Sequence, residues 1–199
     1  MNLFFDRLGV MKKLLGIIIL GLFLITPSQA DDIRDFQIEG MSIGDSLLDY
    51  FSEKEIKDNY VKWYDDDKFI RAEFKKLKFF KTYGSVGLSY KTNDKKYIIH
   101  SLSGIIFFNE NIDSCYKKMD ELDKELSHLF KDAKKVGPSI MKYDEKYGDS
   151  NSKQIFYDFK DGAAAALECI DWAPNMKPWT DNLSVSLDSK EFRKWLREQ

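Results

Sequence analysis

The sequence predicts an α+β fold, a single domain in which a largely antiparallel β-sheet packs against one long and one C-terminal amphipathic helix. Three observations carry that expectation. Apolar residues recur at Ile112, Cys115, Met119, Leu122, Leu126, Leu129 and Ala133, the i, i+3/i+4, i+7 spacing of a helix with one buried face. On both sides of that segment lie runs with strand composition joined by short turns, the pattern of hairpins. After the last such run, Phe192, Trp195 and Leu196 fall on one side of a closing helical segment.

The N-terminus carries Met11-Lys12-Lys13, the apolar run Leu14–Ile25, a helix-breaking Thr26-Pro27 and small residues at Ser28 and Ala30. A basic start, an apolar stretch and an A-x-A-like site make a signal peptide over residues 1–30, with cleavage expected after Ala30. The apolar run is too short to span ~30 Å of hydrocarbon at ~1.5 Å per residue. Residues 1–10 are expected to lie upstream of a true start at Met11, and no cysteine follows the run to take a lipid anchor. The exported domain is then 31–199, destined for the periplasm or, as the second choice, the extracellular space.

Within it, Phe36-Gln37-Ile38 is expected as an edge strand, followed by glycine punctuation at Gly40 and Gly44. Ser46-x-x-Asp49 and Ser52-x-x-Glu55 are capping boxes that start two short helices, Leu47–Phe51 and Glu53–Asn59. Tyr60–Tyr64 and Phe69–Phe74 are strand candidates around the turn 65–68, and Leu77–Thr82 is a third strand or a loop. Ser85–Lys91 and Tyr97–Phe108 form the strongest hairpin; closing its turn symmetrically pairs Tyr90 with Ile98, Leu88 with His100 and Val86 with Leu102, all on the core face.

The long helix runs over Ile112–Ala133, capped by Asn111 or Asp113, supported by Asp113/Lys117 and Asp120/Lys124, and stopped by Gly137-Pro138. A polar loop, Tyr143–Ser152, leads to a second hairpin, Lys153–Phe159 and Ala163–Trp172, whose Asp161-Gly162 favours a type I′ turn. Ala173–Asn182, with Pro174 and Pro178, is a loop. Leu183–Leu187 is the last strand, and Asp188-x-x-Glu191 caps a helix over Ser189–Glu198.

Lys and Arg number 31 against 33 Asp and Glu, so no basic surplus exists to neutralise phosphates, which excludes a typical nucleic-acid binder. After cleavage the net charge becomes about −4. Two cysteines in an exported chain make one bridge, Cys115–Cys169, worth up to ~4 kcal/mol on a loop-entropy argument, often less; the alternative is two separate buried thiols. There is no C-x-x-C and no lysine-rich helix start to activate a thiol.

Ile43-Gly44-Asp45-Ser46-Leu47 contains the letters of the GDSL esterase motif, in which the serine is a nucleophile and a late D-x-x-H supplies the base. Here the two histidines are His100 and His128, neither with that spacing, so capping explains Ser46. His100 is expected in the core and His128 on a solvated helix edge, and the pair makes no metal set. Asp65-Asp66-Asp67 and Asp149-x-Asn151 lack the glycine and distal glutamate of an EF-hand loop and are taken as polar turns, the triplet holding at most an adventitious cation. No catalytic set, metal site or cofactor motif is expected. Asn182-Leu183-Ser184 is a glycosylation triplet only where the source glycosylates. The aromatic residues Trp63, Tyr64, Trp172 and Trp179, at strand ends or in loops, are the candidate binding surface for a protein, peptide, lipid or glycan; the alternative is that they cap the core at the sheet ends.

The stretch Phe36–Glu53, the Cys115 helix, Cys169-Ile170-Asp171-Trp172 and the final Leu183–Leu187 with Glu191–Leu196 resemble small exported proteins of marine alphaproteobacteria, a group without an established activity. The resemblance implies location. The phrase Gly40-Met41-Ser42 before a short helix also resembles small outer-membrane assembly adaptors, although their lipid-anchored cysteine is missing. The expected function is therefore a periplasmic or secreted, non-catalytic binding or accessory protein held by one disulfide. The alternatives are a hydrolase with a site near Ser46, or an envelope assembly adaptor.

Overall fold

A computed structural model describes residues 32–109 and 111–199; the expected signal peptide lies outside them. A small hairpin, β1 (Gln37–Ile38) and β2 (Met41–Ser42), comes first, followed by the short helix α1 (Glu53–Asp58). The strands β3 (Tyr60–Val61), β4 (Phe69–Lys75), β5 (Ser85–Lys91) and β6 (Ser101–Phe107) then form a meander. The long helix α2 (Ile112–Leu129) leads to a second meander of β7 (Lys134–Lys142), β8 (Asn151–Asp158), β9 (Ala164–Asp171) and β10 (Asn182–Asp188), and α3 (Lys190–Leu196) ends the chain. The meanders join through β6 and β10 into one eight-stranded antiparallel sheet of order β3-β4-β5-β6-β10-β9-β8-β7. This is the α+β architecture expected.

The sheet has an inner and an outer face. Val86, Leu88, Leu102, Leu167, Cys169, Leu183, Val185 and Leu187 alternate inward and meet the buried stripe of α2, Cys115, Met119, Leu122 and Leu126. To pass from β6 in the middle to β7 at the edge, α2 crosses the sheet over β10 and β9. Cys115 in its first turn is bonded to Cys169 of β9, a bridge between residues 54 apart whose Cα atoms are 6.0 Å apart. Further along, Tyr157 of β8 donates from its hydroxyl to the Asp123 carboxylate at 2.6 Å. Asn111 caps the helix by accepting from the Ser114 N–H. Asp120 lies 3.5 Å from Lys153 of β8, tying the polar flank of the helix to the sheet.

The N-terminal segment closes the rest of the inner face with Phe36, Ile38, Met41, Leu47 and Ile56. Ser52 and Glu55 form the reciprocal capping box of α1. Ser46 caps only a single 3-10 turn, Leu47–Asp49, which replaces the first short helix expected. Phe36–Ile38 is not an edge of the main sheet but half of the separate β1–β2 hairpin. Leu77–Thr82 forms no strand; Glu39 holds it as a loop, its carboxylate accepting the N–H groups of Lys81, Thr82 and Tyr83.

Other expectations are corrected by local chemistry. Leu88 pairs with Leu102, and Val86 with Gly104, a register two residues from the one expected. The cause is the segment before β6. Up to Ile99 its backbone bonds the Gly44–Leu47 stretch: Gly44 donates to Ile99, Ile99 to Asp45, and Leu47 to Tyr97; His100 then donates to Ser89 of β5. The second hairpin turns through Lys160-Asp161-Gly162, with Gly162 donating to the Phe159 carbonyl. Only the glycine has positive φ (97°), so this is a three-residue loop with a left-handed last position and not a type I′ turn. The cap of α3 is Ser189, which accepts from the Phe192 N–H, while Asp188 stays in β10.

Strand β7 was unforeseen. All nine of its residues are exposed, and its pairing with β8 breaks between Val136 and Ser139 at Gly137-Pro138. Without a buried face it has no alternation to read, and its breaker pair mimics a helix stop.

The Cys115→Ser/Cys169→Ser double variant should lose about 2–4 kcal/mol of unfolding free energy in urea. A loss below about 1 kcal/mol would mean that packing alone holds α2 on the sheet.

Candidate functional site

The outer face of the sheet is covered unevenly. At the Asp188 end α3 lies across it, packing Phe192 and Trp195 on Phe69, with Tyr64 closing the group. The Trp195 indole donates to Asp66 at 2.7 Å, so the aspartate triplet works as a tether for α3. No cluster of His, Cys, Asp and Glu suited to a metal occurs among the described residues.

Next to this small core the face is polar. Gly87 leaves space on β5 that Arg71 crosses, and the guanidinium donates to the Ser103 hydroxyl at 2.7 Å. A Cβ at position 87 would lie 1.8 Å from the guanidinium nitrogen. The Trp63 ring covers the guanidinium from outside, 5.2 Å away, and remains 63% exposed. Tyr64 and Ser89 hydroxyls meet at 2.8 Å. Asp188, fully buried, accepts from Ser101 at 2.6 Å; burial pushes its carboxyl upward against the opposing pull of Ser101, Arg193 and Arg71. These bonds hold β4, β5, β6 and β10 together beneath α3, while the buried Arg71 Nε has no hydrogen-bond partner.

At the other end of the same face the rings form a different surface. Trp172, just after β9, and Trp179, in the loop before β10, have centroids 4.5 Å apart. Tyr143, just after β7, stacks on Trp172 at 5.5 Å and 14°. Tyr147 completes the cluster 5.9 Å from Trp179 and 5.7 Å from Tyr143. Trp179 is 47% exposed. The backbone beneath is fixed: Trp172 donates to the Asp181 carboxylate at 3.0 Å and Ala173 to the Ser150 hydroxyl at 2.9 Å.

Polar side chains adjoin these rings. Tyr143 donates to the Glu168 carboxylate at 3.5 Å, and Gln154 donates to the same oxygen at 2.7 Å. Burial, followed by the charge of Glu168, raises the Tyr143 phenol well above its ordinary value, so it stays a neutral donor. Opposite Glu168 on β10 stands Ser184. Exposed apolar side chains, Phe107 and Met141, lie on the same outer face.

The four expected surface aromatics therefore divide. Trp172 and Trp179 come together, whereas Trp63 seals Arg71 and Tyr64 packs under α3. The two groups sit at opposite ends of β10, whose seven residues span ~20 Å. Tyr143, Tyr147, Gln154 and Glu168 were missed. Their one signal was the Tyr143/Tyr147 pair inside a stretch that looked like a plain polar loop.

A further concavity is an open cleft of about 610 Å³ lined by Asp67, Lys68, Lys91, Asp94 and His100 among others. His100 does not lie in the inner core where it was expected: its N–H donates to the Ser89 carbonyl of β5 outside the paired register, and its ring packs on Phe69 beside α3. Its Nδ1 is 3.2 Å from the Ser189 hydroxyl and 3.9 Å from Glu191. Both partners meet the same nitrogen, so a serine–histidine–acid relay, which needs one on each, is not assembled. The Ser46 hydroxyl donates to the Lys96 carbonyl and accepts from the Leu48 N–H. His128 is exposed on α2.

Comparison with protein-family models, curated proteins and solved structures finds no match to this chain.

Burial depresses the His100 pKa, opposed by Glu191 and Asp94 and assisted by Lys91. The folded state thus resists protonation, and its stability should fall as pH drops below about 6.5, where the unfolded imidazole takes its proton. The variant His100→Asn should flatten this acid-side decline in melting temperature. An unchanged slope would assign the decline to other groups.

Proposed function

We propose that the protein is an exported, non-catalytic binding module that presents its ligand site on the outer sheet face at the Trp172–Trp179 end. The observation that carries this reading is the half-exposed Trp179 on a pre-formed cluster with Trp172, Tyr143 and Tyr147, next to the hydrogen-bonding pair Glu168 and Gln154. Rigid aromatic side chains beside a few fixed polar groups are what small recognition sites use, because little side-chain entropy is lost on binding. The Cys115–Cys169 disulfide supports an oxidising compartment, and no helix among the described residues is long and apolar enough to cross a membrane. With the signal-like N-terminus and the resemblance to exported alphaproteobacterial proteins, these features favour the periplasm.

An adaptor acting through a sheet edge is less well supported. The long exposed edge is β7, and it carries Lys134 and Lys142 near its ends, a bulge, and Pro138, which has no N–H to donate. Those are the devices by which natural sheets avoid edge pairing. The hydrolase alternative draws no support from Ser46, whose hydroxyl is engaged as a cap and bridge.

Immobilised wild-type protein should retain a component of periplasmic or cell-envelope fractions saturably, and Trp179→Ala should weaken that retention by about tenfold or more. Ser46→Ala should change nothing. Equal retention by wild type and Trp179→Ala would remove the site, and an esterase activity lost in Ser46→Ala would replace the reading with the hydrolase.

A further inference from the structure

We infer that the ligand of the Trp172–Trp179 surface is a neutral oligosaccharide, an inference that rests on the binding role proposed above. The first argument is the kind of group offered. Trp179 leaves 47% of its surface exposed, and the C–H bonds of a pyranose ring pack on an indole face while its hydroxyls point outward around the rim. Those hydroxyls both donate and accept. Glu168 offers its second carboxylate oxygen, Gln154 its amide oxygen and Ser184 a hydroxyl, while the Tyr143 and Gln154 bonds to the other carboxylate oxygen hold the acid in place before any ligand arrives.

The second argument concerns peptides. A peptide that binds by strand addition pairs its backbone with a free strand edge. Here β8, β9 and β10 each have a strand on both sides, so their backbone groups are already used. The free edge, on β7, is bulged at Gly137-Pro138. A sugar needs only side-chain partners.

The third argument is charge. Glu168 stands on the outer face of β9, and the exposed Asp144, Glu145 and Asp149 lie in the loop that carries Tyr147. Lys146, whose ammonium lies 4.9 Å from the Tyr147 ring centroid, and Lys177 offset only part of this charge. An anionic lipid headgroup or an acidic glycan would meet net repulsion, whereas a neutral chain would not.

The test is isothermal titration of the full exported domain with chitohexaose, cellohexaose and, as the anionic control, hexagalacturonate. At least one neutral hexamer should bind. Trp179→Ala should lose about tenfold or more in affinity, Trp179→Tyr should recover part of it, and Trp63→Ala should bind as wild type. Unfolding curves matching wild type would show that Trp179→Ala keeps its fold. A preference for hexagalacturonate, or neutral binding indifferent to Trp179, would overturn the inference. So would silence toward all three sugars; if envelope components still bound in a Trp179-dependent way, the binding role would stand and only the glycan assignment would fall.

Discussion

The tie between α2 and β9 is the constraint on which the rest of the fold depends. The two meanders meet through one strand pair, β6 with β10, and the chain gets from the first to the second along α2. If that helix were free, the second meander would be held by the β6–β10 ladder, the packing of α3 on Phe69 and the contact of Phe36 with Phe159. Packing of Met119, Leu122 and Leu126 holds the helix down, and the Cys115–Cys169 bond fixes its first turn over the strand beside β10. The polar bond from Tyr157 to Asp123 fixes the later turns. Apolar burial supplies the driving force, and the crosslink and buried phenol choose the register.

With all of α2 and the N-terminal segment on the inner face, the outer face is left to a seven-residue helix and the loops. Chemistry along it changes accordingly. Under α3 it is polar and buried: Arg71 bonds Ser103, Ser101 bonds Asp188, and Trp63 closes the top. At the far end the rings of Tyr143, Tyr147, Trp172 and Trp179 are only partly covered, and the polar groups beside them remain available. The first arrangement holds strands together; the second is the surface proposed for contact. Exposed tryptophans thus stand in different surroundings at the two ends.

Much of this was legible in the sequence. The helical stripe from Ile112 to Leu129, the pairing of the two cysteines, the Ser52–Glu55 cap and the strands around residues 85, 155, 167 and 185 follow from periodicity, end chemistry and the exported context. The helix stops four residues short of the expected Ala133. What was not legible came from long-range competition. The segment 97–100 bonds to Gly44–Leu47, which no local rule announces, and that moved the register and swung His100 out of the core. Strand β7 is an edge with no buried side, so it left no pattern. In the candidate site, Trp172 and Trp179 were visible as loop aromatics flanking one proline-containing segment. Their union with Tyr143, Glu168 and Gln154 required knowing that β7, β8 and β9 lie side by side.

The central claim is that recognition takes place at one end of one face, and the four tryptophans provide separate reporters of it. Trp172 and Trp179 mark the proposed surface, Trp63 the sealed arginine, and Trp195 the helix α3 core. The direct measurement is a ¹⁵N–¹H spectrum of the indole N–H groups during titration with a neutral oligosaccharide that binds. The account predicts saturable shifts of the Trp172 and Trp179 signals while those of Trp63 and Trp195 stay in place. Shifts confined to Trp63 or Trp195 would contradict it.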